Sequence, residues 1–323
     1  MNAGQGSLDR IALFGAGGAV GHALSEALVA QGRAYRAVGR NPSLLQAAFP
    51  QAEVRQADFL SGSGADQAAE EIDTVFYLAG TDYTHFERHP LMVANALAAA
   101  KRAGVRRFVH VAPVYSYSPQ PGKKVVETDP HVPVTRKGRW RLEQEQAVLG
   151  ADDAGGMRTL VVHLPDFYGP YADNSYANYF LRDAVAGKTA TWIGPLSALR
   201  EFVYVPDAGP VLLALAALDD AYGTRWNLGG STIVADTFVR EAFERLGTPR
   251  KVRAASKIVL QALGVFDPMM REIAEMYYLS QGDVILDDAK LSTRLGGISK
   301  TPFERGIGAT IDWMKEAVTP PPS

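Results

Sequence analysis

Ile11-Ala12-Leu13-Phe14-Gly15-Ala16-Gly17-Gly18-Ala19-Val20-Gly21 reads as a strand, a turn and the start of a helix. Four consecutive apolar residues suit a short strand buried on both faces, and Val20, Leu24, Leu28 and Val29 then recur at helical spacing up to Gly32. Gly15, Gly18 and Gly21 fall at the junction as G-x-x-G-x-x-G. Missing Cβ atoms there let backbone N–H groups and the positive end of a helix approach a pyrophosphate. Tight turning and close packing also call for glycine, so it is the place between strand and helix that makes the motif point to a dinucleotide.

The alternation continues outward. Tyr35 to Val38 is strand-like, Pro42 opens a short helix, Glu53 to Arg55 makes a brief third strand and Thr74 to Leu78 a fourth. Pro90 to Arg102 is an Ala-rich helix stopped by Gly104, and Arg107 to Val111 is a fifth strand. A helix from about Gly138 to Leu149 and a strand from Thr159 to Leu164 complete the series. Strands alternating with helices predict an α/β fold with a doubly wound parallel (Rossmann) sheet and right-handed crossovers. From Pro165 the regularity gives way to aromatic and Gly/Pro-rich loops, a strand-like Phe202 to Val205, and helices including one across Met269 to Leu279. The expected organisation is a dinucleotide-binding domain over 8–165 and a smaller, predominantly substrate-binding lobe over 166–317, interwoven with it. Thr319 to Ser323 reads as a Pro-rich frayed tail.

Composition removes several function classes. With 47% hydrophobic and 21% charged residues among 323, the chain can bury a substantial core. Lys plus Arg number 33 and Asp plus Glu 35, so a net charge of −2 recruits neither nucleic acid nor an anionic membrane. Cysteine is absent, which removes disulfides, thiolate nucleophiles and Cys-ligated metal. Met1 to Arg10 lacks the pattern of a signal peptide, and no run reaches the roughly 18 apolar residues that span a bilayer. A cytoplasmic protein is expected.

Coenzyme choice is read at the end of the second strand, which is Val38-Gly39-Arg40-Asn41. An NAD-selective protein usually places a carboxylate there for the ribose hydroxyls. Without it a 2′-phosphate is not repelled, and Arg40 can pair with it, which favours NADP over NAD. Asp58 suits either the adenine amino group or a turn cap. Ala79 ends the fourth strand with a small side chain, as a crossing coenzyme requires.

Beyond the glycines, Arg107-Phe108-Val109-His110, Asp166-Phe167-Tyr168-Gly169-Pro170, Arg200-Glu201-Phe202-Val203-Tyr204-Val205-Pro206-Asp207, Tyr222 to Gly230 and Thr301 to Gly306 resemble segments of the extended short-chain dehydrogenases/reductases, the NAD-dependent epimerase/dehydratase group. The resemblance implies a Tyr acid or base, a Lys one helical turn later and a Ser on the reacting oxygen. Here that machinery is altered. The pattern Y-G-x-S-K-L-E-x-E lines up with Lys137-Gly138-Arg139-Trp140-Arg141-Leu142-Glu143-Gln144-Glu145, so Lys137 takes the Tyr place and Arg141 the Lys place. Pro113 stands at or next to the Ser place. A second register would put Thr135 and Arg139 there, restoring neither Tyr nor Lys.

Arg141 keeps a cation for ribose or carboxamide oxygens but carries no transferable proton. Lys137 becomes an acid if its surroundings lower its pKa, and is otherwise a surface ammonium. Tyr115 and Tyr117, just after the fifth strand, are the other candidate proton donors. Asp166 and Tyr168 are expected at the substrate by resemblance. His163 suits a core imidazole. His85 and His89 flank Glu87 at helical spacing without a third ligand, so no metal is expected. Met269, Met270 and Met276, with Tyr171, Tyr176 and Tyr179, tilt the substrate toward a small hydrophobic or aromatic molecule. The expected function is NADP-dependent reduction of a carbonyl or enone with a non-standard site. Alternatives are a non-redox isomerase, epimerase or lyase and an inactive coenzyme sensor. The resemblance also implies homodimer pairing through the helices near Pro90 and Gly138, with the oligomeric state open.

Overall fold

In the computed structural model, which describes residues 8–318, the first half of the chain alternates strand and helix throughout. β1 (Ile11–Phe14) leads through α1 (Ala19–Ala30) to β2 (Tyr35–Gly39), then α2 (Pro42–Ala48), β3 (Glu53–Gln56), α3 (Ala65–Ala69) and β4 (Thr74–Tyr77). α4 (His89–Arg102), β5 (Arg107–Pro113), the two-residue β6 (Lys124–Val125), α5 (Arg136–Gly150) and β7 (Arg158–Leu164) follow. Side chains cap α2 and α5. Asn41 caps α2 by accepting from Leu44 N at 3.1 Å with Pro42 in the first turn, and Thr135 Oγ1 caps α5 from Gly138 N at 3.0 Å.

The second half supplies β8 (Phe167–Tyr168), α6 (Tyr176–Val185), β9 (Ala190–Ile193), β10 (Leu199–Tyr204) and α7 (Val205–Ala216), then β11 (Arg225–Asn227), β12 (Ser231–Val234), α8 (Ala235–Leu246) and β13 (Val252–Ala255). α9 (Lys257–Leu263), α10 (Pro268–Glu275), β14 (Ile285–Leu286), α11 (Ala289–Leu295) and α12 (Phe303–Val318) complete it. Seven strands form one parallel sheet in the order β11-β7-β5-β4-β1-β2-β3. The doubly wound fold is therefore present, and its outermost strand, β11, is contributed by the second half.

Two expected elements differ. The strand over Phe202–Val205 is instead Leu199–Tyr204, because Val205 with Pro206 behind it opens α7. The single helix over Met269–Leu279 is α10 followed by a separate 3-10 turn, Tyr277–Gln281, ending at the left-handed Gly282. The tail from Thr319 lies outside the described residues.

Register places the functional edge. Phe14 lies beside Val38 and Tyr77, and Tyr77 beside His110, so β1, β2 and β4 end level with one another. The chain order reverses between β1 and β4, and in such sheets ligands bind at the carboxyl ends of the strands at that switch point. Beneath it the β1 side chains Ile11, Leu13 and Phe14 are fully enclosed, each contributing about 1.5–3 kcal/mol of burial free energy.

Candidate active site

Two of the three glycines are demanded by close approach. Gly15 sits at φ +91°, and a Cβ on it would lie 2.6 Å from Ala79 Cα; a Cβ on Gly21 would lie 2.0 Å from the Ala16 oxygen. The Gly15 and Ala16 amides both donate to Val38 O, at 2.9 and 3.1 Å, which bends the loop over the end of β2. Gly18 is different. It is the N-cap of α1, it is exposed, and no side chain caps the amides beyond it. Free first-turn N–H groups at the positive end of a helix fit the diphosphate of a dinucleotide.

Beyond this loop, Arg40, Gln56, Asp58, Ser63, Gly64 and Gln67 surround an open cleft of about 550 Å³. Arg40 is exposed at its rim, with its carbonyl accepting from Gln56 Nε2 at 3.1 Å. The Asp58 carboxylate accepts from Leu60 N at 2.9 Å and Ser61 Oγ at 3.1 Å, so it caps the turn after β3 while lining that cleft. Ala79 is buried under Gly15.

A second group of candidate residues is built on α5. Lys137, Gln144, Glu145 and Val148 are on its buried face, whereas Arg139 and Glu143 are exposed, so helix phase supports the register with Lys137 and Arg141 inside. Gly138 lets the helix approach the turn after β5: a Cβ on it would lie 2.4 Å from the Tyr115 oxygen. Lys137 Nζ donates to Glu275 at 2.9 Å and to Glu272, both on α10. Arg141 donates to Gln144 Oε1 at 2.7 Å and lies 5.0 Å from the Phe86 ring centroid. Burial lowers its pKa, opposed by nearby Tyr115 and Tyr77.

Tyr115 joins this cation. Burial and the Asp166 charge push its phenol up to about 12, while a hydrogen bond with Tyr83 and the Arg141 guanidinium act the other way. Tyr83 in turn accepts from the Tyr176 hydroxyl at 3.1 Å, and Lys137 sits over the Tyr83 ring at 5.0 Å. Asp166 accepts from buried Arg200 at 2.7 Å. The structure thus groups Tyr115, Lys137, Arg141 and Asp166. It sets Tyr117 and Tyr168 elsewhere. Tyr168 is enclosed in the lobe core among Phe202, Tyr204, Phe238 and Phe303, in space that Gly306 leaves for its hydroxyl.

Tyr117 belongs to a buried polar network with Asn227 and His163. Its hydroxyl donates to Asn227 Oδ1 at 2.8 Å and lies 3.4 Å from His163 Nδ1. His163 Nε2 is 3.1 Å from Glu145, and His131 Nδ1 is 3.6 Å from the same carboxylate. His131, Glu145 and His163 each place a ligand-type atom within 4.8 Å of the others. Arg225 at 3.4 Å from Glu145 and the Ser116 hydroxyl at 3.1 Å from His131 already serve this set. Burial would raise the Glu145 carboxyl, but the charge and hydrogen bond of His163, with Ser116 and His131, hold it down at about 2. The other histidine pair is not on one helical face: exposed His85 meets Glu87 at 3.3 Å before α4 begins, while His89 is buried against Phe86.

Tyr83, His131, Glu272 and Glu275 carried no sequence signal. Tyr83 lies in the loop between β4 and α4, where its ring packs edge-on to Phe86. The glutamates come from an element more than a hundred residues beyond the helix they meet.

The family model for the NAD-dependent epimerase/dehydratase family matches residues 11–229. A dTDP-6-deoxy-L-talose 4-dehydrogenase (NAD(P)(+)) of Kitasatospora kifunensis is 30% identical over 266 residues, covering 75% of this chain and 81% of that protein. Among solved structures, UDP-glucuronic acid 4-epimerase from Bacillus cereus in complex with NAD superposes with a TM-score of 0.78 at 17% identity, covering 96% of this chain and 100% of that one. The dTDP-glucose 4,6-dehydratase of Streptomyces venezuelae, also with NAD bound, gives 0.80 at 17% identity, over 95% and 97% of the two chains. The chain belongs to the NAD-dependent epimerase/dehydratase family and is an NAD(P)-binding enzyme of the oxidoreductase/isomerase type.

Proposed function

We propose that the protein is an NADP-dependent oxidoreductase that interconverts a carbonyl and an alcohol on a small substrate. The observation that carries this is the grouping of the Tyr115 phenol and the Arg141 guanidinium, both close to Phe86 and near enough for each charge to act on the other. A phenol beside a fixed cation is what the family obtains from one helix; here the phenol comes from the turn after β5 and the cation from α5. When bound, the reduced coenzyme supplies hydride. Tyr115 donates its proton to the substrate oxygen as charge develops there, and Arg141 stabilises the phenolate left behind. Lys137, engaged by Glu272 and Glu275, anchors α10 against the first turn of α5.

For the coenzyme, Arg40 at the rim of the cleft supports a 2′-phosphate, and no carboxylate occupies positions 38–41. Arg40→Glu is expected to weaken NADPH binding about 10- to 100-fold, as loss of a charge-assisted contact does, with NADH little affected. The relative acting on a dTDP-linked deoxysugar supports a keto sugar nucleotide as substrate. Such a ring has apolar faces and a few hydroxyls, which suits the ring faces and phenol tips of Tyr83, Tyr115 and Tyr176. A sugar nucleotide takes the place of the small hydrophobic or aromatic molecule expected from the sequence.

The test is stopped-flow absorbance of bound NADPH mixed with 4-keto-6-deoxy sugar nucleotides, and with simple ketones and enones in parallel. Oxidation with the keto sugars and not the enones is expected. Tight coenzyme binding with no oxidation by any of them overturns the proposal, and favours the second reading, a coenzyme-binding protein without turnover. That reading draws on the loss of the family's Tyr, Lys and Ser.

A further inference from the structure

Residues 250–271 depart from the rest of the surface. They hold five Lys or Arg and one acid, Asp267, in a chain of net charge −2. Asp267 is committed to capping α10, accepting from Met269 N at 2.8 Å. Lys251, Lys257 and Arg271 have no acidic partner among the described residues, and Arg253 bonds the Thr191 hydroxyl at 3.0 Å. Only Arg250 is paired, with Asp236.

Between these cations stands exposed apolar surface. α9 buries Leu260 alone. Ile258 is 77% exposed, Val265 73% and Phe266 90%, with Val259, Leu263 and Met269 also exposed. A two-turn surface helix ordinarily turns its apolar side chains inward; this one turns three of them out, and a phenyl ring follows in the turn. The platform underneath is firm, since Leu260, Ile273, Ala274 and Tyr277 pack as one cluster with Ala255.

We propose that the α9–α10 hairpin docks the protein on an anionic lipid bilayer, its apolar tip entering the headgroup boundary while Lys251, Arg253, Lys257 and Arg271 meet lipid phosphates. An apolar tip flanked by lysine and arginine is the composition of interfacial anchors, in which buried apolar area and attraction to anionic lipid add. Docking is peripheral: among the described residues no helix is long and apolar enough to cross a membrane. Charge also disfavours a second copy on this face, because a two-fold contact would set the unpaired cations against themselves. The whole-chain charge, which argued against membranes, averages this local excess away.

Vesicle flotation of the full chain tests it, with phosphatidylcholine vesicles and with the same vesicles containing phosphatidylglycerol. Binding is expected only to the anionic vesicles. Lys251→Glu with Lys257→Glu should lower the partition coefficient about fivefold or more per cation, and Ile258→Asp with Phe266→Asp should abolish it. All four side chains are exposed, so both double variants should keep the wild-type melting temperature. No flotation with anionic vesicles, or flotation unchanged in either folded variant, overturns the proposal. So does a concentration-dependent dimer by light scattering that Phe266→Asp dissolves while lipid binding is absent.

Discussion

Lys137 Nζ donates to Glu275 Oε2 at 2.9 Å, tying the first turn of α5 to α10 across 138 residues of chain. Glu272 accepts from the same ammonium, and the lysine is fully buried. Replacing Lys137 by Met should destabilise the fold by about 3 kcal/mol, because two partly buried carboxylates lose their cation. Burial raises the Glu275 pKa, but the hydrogen bond and charge of Lys137 outweigh it and the carboxyl ends below its ordinary value. The stability gained is therefore present above the unfolded carboxyl pKa and lost as pH falls through the folded one. Urea melts of wild type and Lys137→Met should converge toward low pH. Activity retained by the folded variant would assign Lys137 to positioning rather than proton transfer.

The two candidate tyrosines should separate cleanly. Tyr115→Phe is expected to lower kcat by about 10²- to 10⁴-fold with coenzyme affinity unchanged. Tyr117→Phe loses the bond to Asn227 and should cost about 1 kcal/mol of stability with kcat preserved. Steady-state kinetics beside thermal melts checks both, and the opposite pattern would exchange their roles.

Glu201 gives a pH signature. Burial raises its carboxyl to about 7 against donation by the Leu286 and Gly230 amides, each at 2.9 Å. An acid whose folded pKa is raised favours folding below its unfolded value, and that contribution drains away as pH climbs to the folded value. The Glu201 contribution should accordingly decline between roughly pH 4.5 and 7, while His22, His110 and His131, held neutral by burial, add stability as pH rises over much of the same range. Glu201→Gln is neutral throughout, so the stability of wild type relative to this variant should fall across that window in denaturant titrations, and a constant difference would show that Glu201 does not titrate there.

Gly21→Ala tests the nucleotide loop. Its Cβ would meet the Ala16 oxygen at 2.0 Å, so α1 must shift away from the loop it supports. A loss of about 1–3 kcal/mol is expected, together with weakened binding of either coenzyme by calorimetry. A stable variant that binds normally would show that the loop has slack the close approach conceals.

Periodicity was enough to read six strands of the large sheet but not the three-residue β11 at its edge. Apolar runs such as Ile11 to Phe14 and Thr74 to Tyr77 have one structural use, and the glycine spacing fixed what lay between the first strand and its helix. The motif at Lys137 to Glu145 was legible as a position but not as a mechanism, because its partners are distant in sequence. Tyr83 reaches Tyr115 from a loop without periodicity, Glu275 reaches Lys137 from the last residue of α10, and no spacing rule links them. The same limit applies at Met276, where one apolar stripe across Met269 to Leu279 conceals a helix end that only the backbone reveals.

The outermost strand of the large sheet carries a consequence for biosynthesis. β7 receives its neighbour β11 only when Asn227 has left the ribosome, long after Leu164. Until then a nascent chain displays a bare row of amides and carbonyls along β7, a template for the wrong neighbour. Vectorial synthesis thus leaves a sticky seam open while some sixty further residues are added, and arrest at that stage is where self-association or capture by a chaperone is expected.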